Sequence, residues 1–267
     1  MTQKYPFSVD PQEFAGKRVL ITGGTKGLGA SMVQRFSLSG AKLAITARAP
    51  ASSTPDSALF IAADVATAEG VQTVQNRIQE AWGGLDILVN NVGGSETFPG
   101  GFEALSDEYW LKMFNWNFMT SVRLDRAFLP GMIERKSGAL IHIGTVWHRI
   151  SQSDSSIAYS AIKAALASYS KGLSKAAAPH GVRVNMVSPG FFETESATVW
   201  IEHIAASGGV DMETARQQLI ARSGGIPMAR LGRPAEIAEL VAFVASDRAG
   251  FTSGVDYTAD GGACPTV

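Results

Sequence analysis

The chain has 267 residues, of which 45% are hydrophobic and 18% charged, with a formal net charge of -1. That length suits one domain with a sizeable core, and the 23 Lys and Arg are spread along the chain, without the basic clustering that nucleic-acid phosphates require. A single cysteine, Cys264, excludes an internal disulfide, and no leader or membrane-spanning apolar run is present, so a cytoplasmic protein is expected.

Arg18 to Thr22 is apolar and β-branched enough for a buried strand, and Leu28, Met32, Val33 and Phe36 recur after it at helical spacing. Between them lies Thr22-Gly23-Gly24-Thr25-Lys26-Gly27-Leu28-Gly29. Glycines at such a joint let a ligand approach bare backbone, and the helix start offers unpaired N–H groups, so the joint suits phosphate. The lysine that a Walker A loop needs is missing, and no G-x-G-x-x-G spacing occurs. The pattern present, T-G-x-x-x-G-x-G through Gly23, Gly27 and Gly29, resembles the nucleotide loop of the short-chain dehydrogenase/reductase family.

A second strand, Lys42 to Thr46, runs into Ala47-Arg48. An acidic residue at this strand end holds the 2′-OH of NAD, but Ala47 stands in its place. Arg48 and Lys26 suit a 2′-phosphate instead, which favours NADP(H) over NAD(H), although two such cations can equally be solvated surface charges. After a short Pro/Ser/Ala link, a third strand at Leu59 to Ala62 is closed by Asp64-Val65, which the resemblance lays along the adenine ring. A helix over Thr67 to Trp82 precedes an apolar strand at Asp86 to Asn90. The segment Asn90-Asn91-Val92-Gly93 resembles the family's N-N-A-G and implies a place for Asn91 and Gly93 beside the cofactor.

Asp107 to Arg135 reads as one helix with a stripe of Trp110, Met113, Phe114, Phe118, Ser121, Leu124 and Phe128. Asn117 falls on that stripe and is either a satisfied buried amide or a working one; the resemblance implies a catalytic Asn holding a proton-relay water. A fifth strand, Ala139 to Ile143, ends in Gly144-Thr145, where the family usually carries Ser. Threonine keeps the hydroxyl but stiffens χ1 and adds a methyl group. Tyr159 and Lys163, at i and i+4, share one face of the next helix, so that the ammonium can sit beneath the phenol. A free phenol titrates near about pH 10, and a nearby cation is expected to lower that value, which makes Tyr159 the candidate acid. The resemblance adds a hydrogen bond from Thr145 to the substrate carbonyl and from Lys163 to the nicotinamide ribose.

Val182 to Val187 reads as a sixth strand. The residues after it, Pro189, Gly190, Phe192 and Thr194, resemble the family's P-G-x-x-x-T nicotinamide segment, and Gly232 to Ala238 with Asp260-Gly261-Gly262 resemble its C-terminal signature. Ser196 to Ser207 and Asp211 to Ser223 read as two amphipathic helices with glycines at 208, 209, 224 and 225, either a lid over residues 195–225 or a plain helical hairpin.

Alternating strands and helices give an α/β fold, a doubly wound, Rossmann-type parallel sheet of about seven strands in a single domain over 1–267, with ligand at the carboxyl ends. The resemblance covers nearly the whole chain, is nearest to 3-oxoacyl reductase-like and ketone-reductase members, and implies an NADP-dependent enzyme acting on a ketone or secondary alcohol. A different class, a non-catalytic NADP(H)-binding redox sensor or scaffold, has no need of Asn117, Tyr159 and Lys163 together. Ser95, Phe98, Trp147, His148, Phe191 and Trp200 either line a pocket for a moderately bulky ketone or are core and surface side chains. The histidines at 142, 148, 180 and 203 lack metal-ligand spacing, so no metal is expected. Small residues on several sides of the Tyr159 helix suit a homo-oligomer, a dimer or tetramer.

Overall fold

The computed structural model describes residues 5–52, 54–96, 101–151, 156–221 and 225–266. Its strands are β1 (Arg18–Thr22), β2 (Lys42–Ala47), β3 (Leu59–Ala62), β4 (Ile87–Asn90), β5 (Gly138–Ile143), β6 (Val182–Pro189) and β7 (Asp256–Ala259). All pair in parallel, in the order β3-β2-β1-β4-β5-β6-β7. The helices are α1 (Gly27–Leu38), α2 (Ala68–Trp82), α3 (Asp107–Phe114), α4 (Thr120–Glu134), α5 (Ile157–Ala177), α6 (Glu195–Gly208), α7 (Met212–Ala221) and α8 (Pro234–Ala245). The expected doubly wound sheet is therefore observed, with seven strands.

Central strands carry apolar residues in runs because both of their faces are covered. Val19 and Ile21 of β1, Leu43 and Ile45 of β2, and Ile87 and Val89 of β4 pack against Met32, Val33 and Phe36 of α1 and Ile237 and Val241 of α8. The residues between them, Leu20, Ala44 and Leu88, pack on the other side against Val74 and Ile78 of α2 and Leu124 and Met132 of α4. Arg35 of α1 is buried and paired with Glu13 (2.5 Å) and Glu239 of α8 (2.7 Å), which ties the segment before β1 to that face. No helix among the described residues is long and apolar enough to cross a membrane.

The stretch expected as one helix from Asp107 to Arg135 is broken. A π-helical turn over Asn115–Met119 separates α3 from α4. The wider turn changes the phase of the stripe: Met113, Asn117, Ser121 and Leu124 are buried, whereas Phe114 is 38% exposed and stacks on Phe118 with ring centroids 4.9 Å apart. The hairpin of α6 and α7 has its own small core of Ile201, Ala215, Leu219 and Ile220, closed by Ile226 and Leu231. Ser223 and Gly224 of the expected second helix and hinge lie outside the described residues.

A buried polar chain crosses the second face. Asn90 Nδ2 donates to Asp125 Oδ1 (2.8 Å), His142 Nε2 meets Asp125 Oδ2 (2.9 Å), and His142 Nδ1 meets Ser170 Oγ (2.9 Å). This links β4, β5, α4 and α5 below the site. Asp125→Ala strands both His142 and Asn90 in the core, and the expected loss is about 3 kcal/mol of unfolding free energy, read from urea denaturation.

Candidate functional site

The carboxyl ends of β1 to β6 open into a cleft of about 1140 Å³. Its centre is a joint at Thr22. The Thr22 hydroxyl donates to Val89 O (3.3 Å) and accepts from Asn91 N (2.9 Å) and Val92 N (3.1 Å), while Asn91 Nδ2 donates to Thr22 O (2.9 Å). The loop after β1 and the loop after β4 are thus locked together. The third glycine permits the closeness: a Cβ at Gly29 would lie 2.1 Å from the Gly23 carbonyl oxygen. At the mouth of the loop, Gly27 N donates to Glu195 Oε2 (3.1 Å), so a carboxylate already sits at the α1 N-terminus.

Tyr159 and Lys163 project from the first turns of α5 toward the end of β5. Lys163 Nζ donates to Ile143 O (2.9 Å) and lies 5.8 Å from the centre of the Tyr159 ring. Burial pushes the Tyr159 phenol up to about 12, with a hydrogen bond to Thr145 pulling the other way, and burial pushes Lys163 down to about 8. The expected lowering of the phenol by Lys163 is not observed: burial dominates, and what opposes it is the Thr145 hydrogen bond. At neutral pH the site holds a protonated phenol beside an ammonium.

Asn117 is fully buried and spends its amide on the backbone. Its Oδ1 accepts from Gly94 N (2.9 Å), and its Nδ2 donates to Gly94 O (2.9 Å) and Met113 O (3.2 Å). A Cβ at Gly93 would lie 2.7 Å from Asn117 Oδ1 and 3.1 Å from Lys163 Nζ, so only glycine leaves this cradle open.

The cleft walls include Gly23, Thr25, Lys26, Gly27, Leu28, Gly29, Arg48, Asp64, Val65, Asn91, Gly93, Thr145, Tyr159, Lys163, Pro189, Gly190 and Thr194. Phe192 is not among them: its ring is buried in the first core against Gly232, where a Cβ would meet it at 2.4 Å. Asn117 stands behind the wall. The residues expected around the substrate are also outside it. Ser95 is exposed, Trp147 packs edge-on to Phe191 (5.3 Å), Trp200 is 38% exposed on α6, and His148 is held by Thr145 O and Asp256. Phe98 lies outside the described residues.

The structure adds Glu195, Trp116 and the pair Glu96–Lys112 (2.7 Å) to the cleft. For Trp116 the sequence held a signal: Gly94 is bare because a Cβ there would lie 2.9 Å from the indole. Exposed charges such as Glu96 and Lys112 carry none, since their meeting depends on the fold. No three His, Cys, Asp or Glu side chains gather as metal ligands among the described residues.

A sequence profile for the family described as Enoyl-(Acyl carrier protein) reductase matches residues 23–264. The chain is 30% identical over 253 residues to the 3-oxoacyl-(acyl-carrier-protein) reductase FabG of Vibrio cholerae, covering 92% of this chain and 97% of that protein. It is 34% identical over 258 residues to the 2,5-dichloro-2,5-cyclohexadiene-1,4-diol dehydrogenase LinX of Sphingobium indicum, covering 93% and 96%. L-sorbose reductase of Gluconobacter frateurii, solved with NADPH and L-sorbose, superposes with a TM-score of 0.87 at 30% identity, covering 97% of this chain and 100% of that one.

The Asn117 clamp has a direct check. In Asn117→Ala the Gly94 N–H and C=O lose their partners; the expected outcome is a loss of about 1–3 kcal/mol in denaturation, with fast hydrogen exchange confined to the 93–94 loop.

Proposed function

Because the chain belongs to the short-chain dehydrogenase/reductase family, and is thus a hydride-transferring oxidoreductase, we propose that it interconverts a ketone and a secondary alcohol with NADP(H), Tyr159 giving and taking the proton. The observation that carries this reading is the meeting of Tyr159, Lys163 and Thr145 in the wall of the same cleft that the glycine loop lines.

The residues present fit the cofactor. The Glu195 carboxylate at Gly27 N marks the α1 N-terminus as a place for an anion, and Gly93 keeps the cradle beside Lys163 open. Gly23, Thr25, Gly27, Leu28 and Gly29 would hold the diphosphate, and Asp64, Val65 and Asn91 the adenosine side. Pro189, Gly190 and Thr194 would face the nicotinamide. Arg48 and Lys26 have no acidic ion-pair partner among the described residues, and Ala47 puts no carboxylate at the end of β2, so a 2′-phosphate is favoured. The NADPH bound to the L-sorbose reductase supports this choice.

Bound NADP(H) supplies or accepts the hydride at the carbon of the substrate. The protein handles the proton. Tyr159, protonated at neutral pH, donates to the carbonyl oxygen, and the phenolate left behind is stabilised by the Lys163 ammonium and the Thr145 hydroxyl. In the reverse direction the same phenolate removes the alcohol proton. The α6–α7 hairpin, joined to the glycine loop through Glu195, acts as the lid over residues 195–225. A single cysteine fits catalysis in the cytoplasm. Ala161, Ala164, Ala165 and Ser168 form an exposed small-residue face of α5 that suits pairing with a second copy, so light scattering should report a homo-oligomer.

The test is NADPH oxidation against a panel of ketones, diketones, ketoses and 3-oxo thioesters. Turnover is expected with NADPH in preference to NADH, and Tyr159→Phe should abolish it while still binding NADPH. Arg48→Ala should weaken NADPH about tenfold or more and leave NADH nearly unchanged. Tight NADPH binding with no turnover across the panel would favour the non-catalytic sensor instead.

Reduction should also respond to pH with a definite sign. Lys163 is a cation only below its pKa, so the rate is expected to fall as pH rises through about 8, and the limb should vanish in Lys163→Met along with most activity.

A further inference from the structure

Thr145 stands at the end of β5, where its hydroxyl bonds to the Tyr159 phenol, and a short turn follows it. The turn is a single 3-10 loop over Val146–His148. Two of its contacts back to Thr145 are long, Trp147 N to Thr145 Oγ1 at 3.4 Å and His148 N to Thr145 O at 3.4 Å. The short contact comes from a side chain. His148 Nδ1 donates to Thr145 O at 2.5 Å, and His148 Nε2 reaches Asp256 Oδ2 at 3.2 Å.

Asp256 is itself fixed from two further sides. Ser188 Oγ of β6 donates to Asp256 Oδ1 (2.6 Å), and Arg149 Nη2 donates to Asp256 Oδ2 (3.0 Å). Burial would raise this carboxyl, but the hydrogen bonds from His148, Ser188 and Arg149 hold it below the usual carboxylate range, so it only accepts. The Thr145 carbonyl also only accepts. Both ring nitrogens of His148 therefore face acceptors.

Resting on the oxidoreductase reading above, we propose that His148 is a positioning residue for the reaction, a ring strapped between the Thr145 carbonyl and Asp256 that fixes Thr145 against Tyr159. The strap runs from Asp256 of β7, itself held by Ser188 of β6, directly to the turn after β5, so the hydroxyl that bonds the acid is aimed by the sheet as well as by its own short loop. His148, a candidate substrate contact by sequence, thus has both of its nitrogens engaged by the protein itself. Threonine is stiff at χ1, so its backbone orientation sets its hydroxyl direction, and a small turn of the 145–148 loop misaims it.

His148→Phe keeps the ring volume and removes both donors. With any ketone that the wild-type enzyme reduces, kcat is expected to fall about tenfold while the NADPH Kd and the ketone KM move less than about twofold. His148→Gln, which retains a donor, should recover part of that loss, as a mere space-filling role would not allow.

The second readout needs no turnover. In 15N-labelled wild-type protein, with the His148 ring nitrogens assigned by their absence in His148→Phe, both ring-nitrogen resonances should move in Asp256→Asn, and the Thr145 and Val146 amide resonances should move with them. Ring nitrogens and a 145–146 backbone that do not respond to Asp256→Asn, or a His148→Phe enzyme with undiminished kcat, overturn the proposal. If no ketone turns over at all, the oxidoreductase reading falls by itself, and the ring-nitrogen spectrum still decides whether the strap exists.

Discussion

The hydroxyl of Thr22 makes three hydrogen bonds at the carboxyl end of β1, to Val89 O, Asn91 N and Val92 N, and the Asn91 amide returns one to Thr22 O. Parallel strands end with backbone groups that the ladder no longer satisfies, and in the middle of a covered sheet water cannot satisfy them. Thr22 and Asn91 resolve that problem for the two central strands. In doing so they set the spacing between the glycine loop and the Gly93–Gly94 loop, and everything that lines the cleft is placed relative to these two edges.

The same covered sheet sets the electrostatics. Lys163 is taken from water and receives one carbonyl, Ile143 O, in exchange, so its charge is weakly compensated and its pKa falls to about 8. Tyr159 is pushed the opposite way, to about 12, for the same reason. An acid that holds its proton firmly and a cation that holds its own loosely are a pair waiting for a partner with negative charge. In the reaction proposed above a developing alkoxide would be such a partner, because it would take the phenol proton and leave a phenolate for the ammonium.

Around this pair, long-range contacts set the geometry of the loops. The π-helical turn between α3 and α4 brings Asn117 inward, where it clamps Gly94 and keeps the cradle beside Lys163 open. Asp256 on β7 fixes the turn after β5 through His148 and Arg149. The α6–α7 hairpin packs on its own small core and touches the glycine loop through Glu195.

The sequence by itself determined the sheet, its helices and the chemical core of the cleft. Buried strands and amphipathic helices write their periods into consecutive residues, and Gly23, Gly29, Tyr159 and Lys163, which line one cleft, stand at spacings set by one turn or one helix face. What only the tertiary structure decided were the matters that depend on distant segments meeting. The π-helical turn is invisible to a period of 3.6 residues. Phe192 read as a cofactor contact, but its ring fills the space beside Gly232. His148 read as a substrate contact until Asp256, 108 positions later in the chain, took its second nitrogen. A hydrogen bond needs a partner at about 3 Å, and for residues on separate strands only the folded sheet supplies that distance.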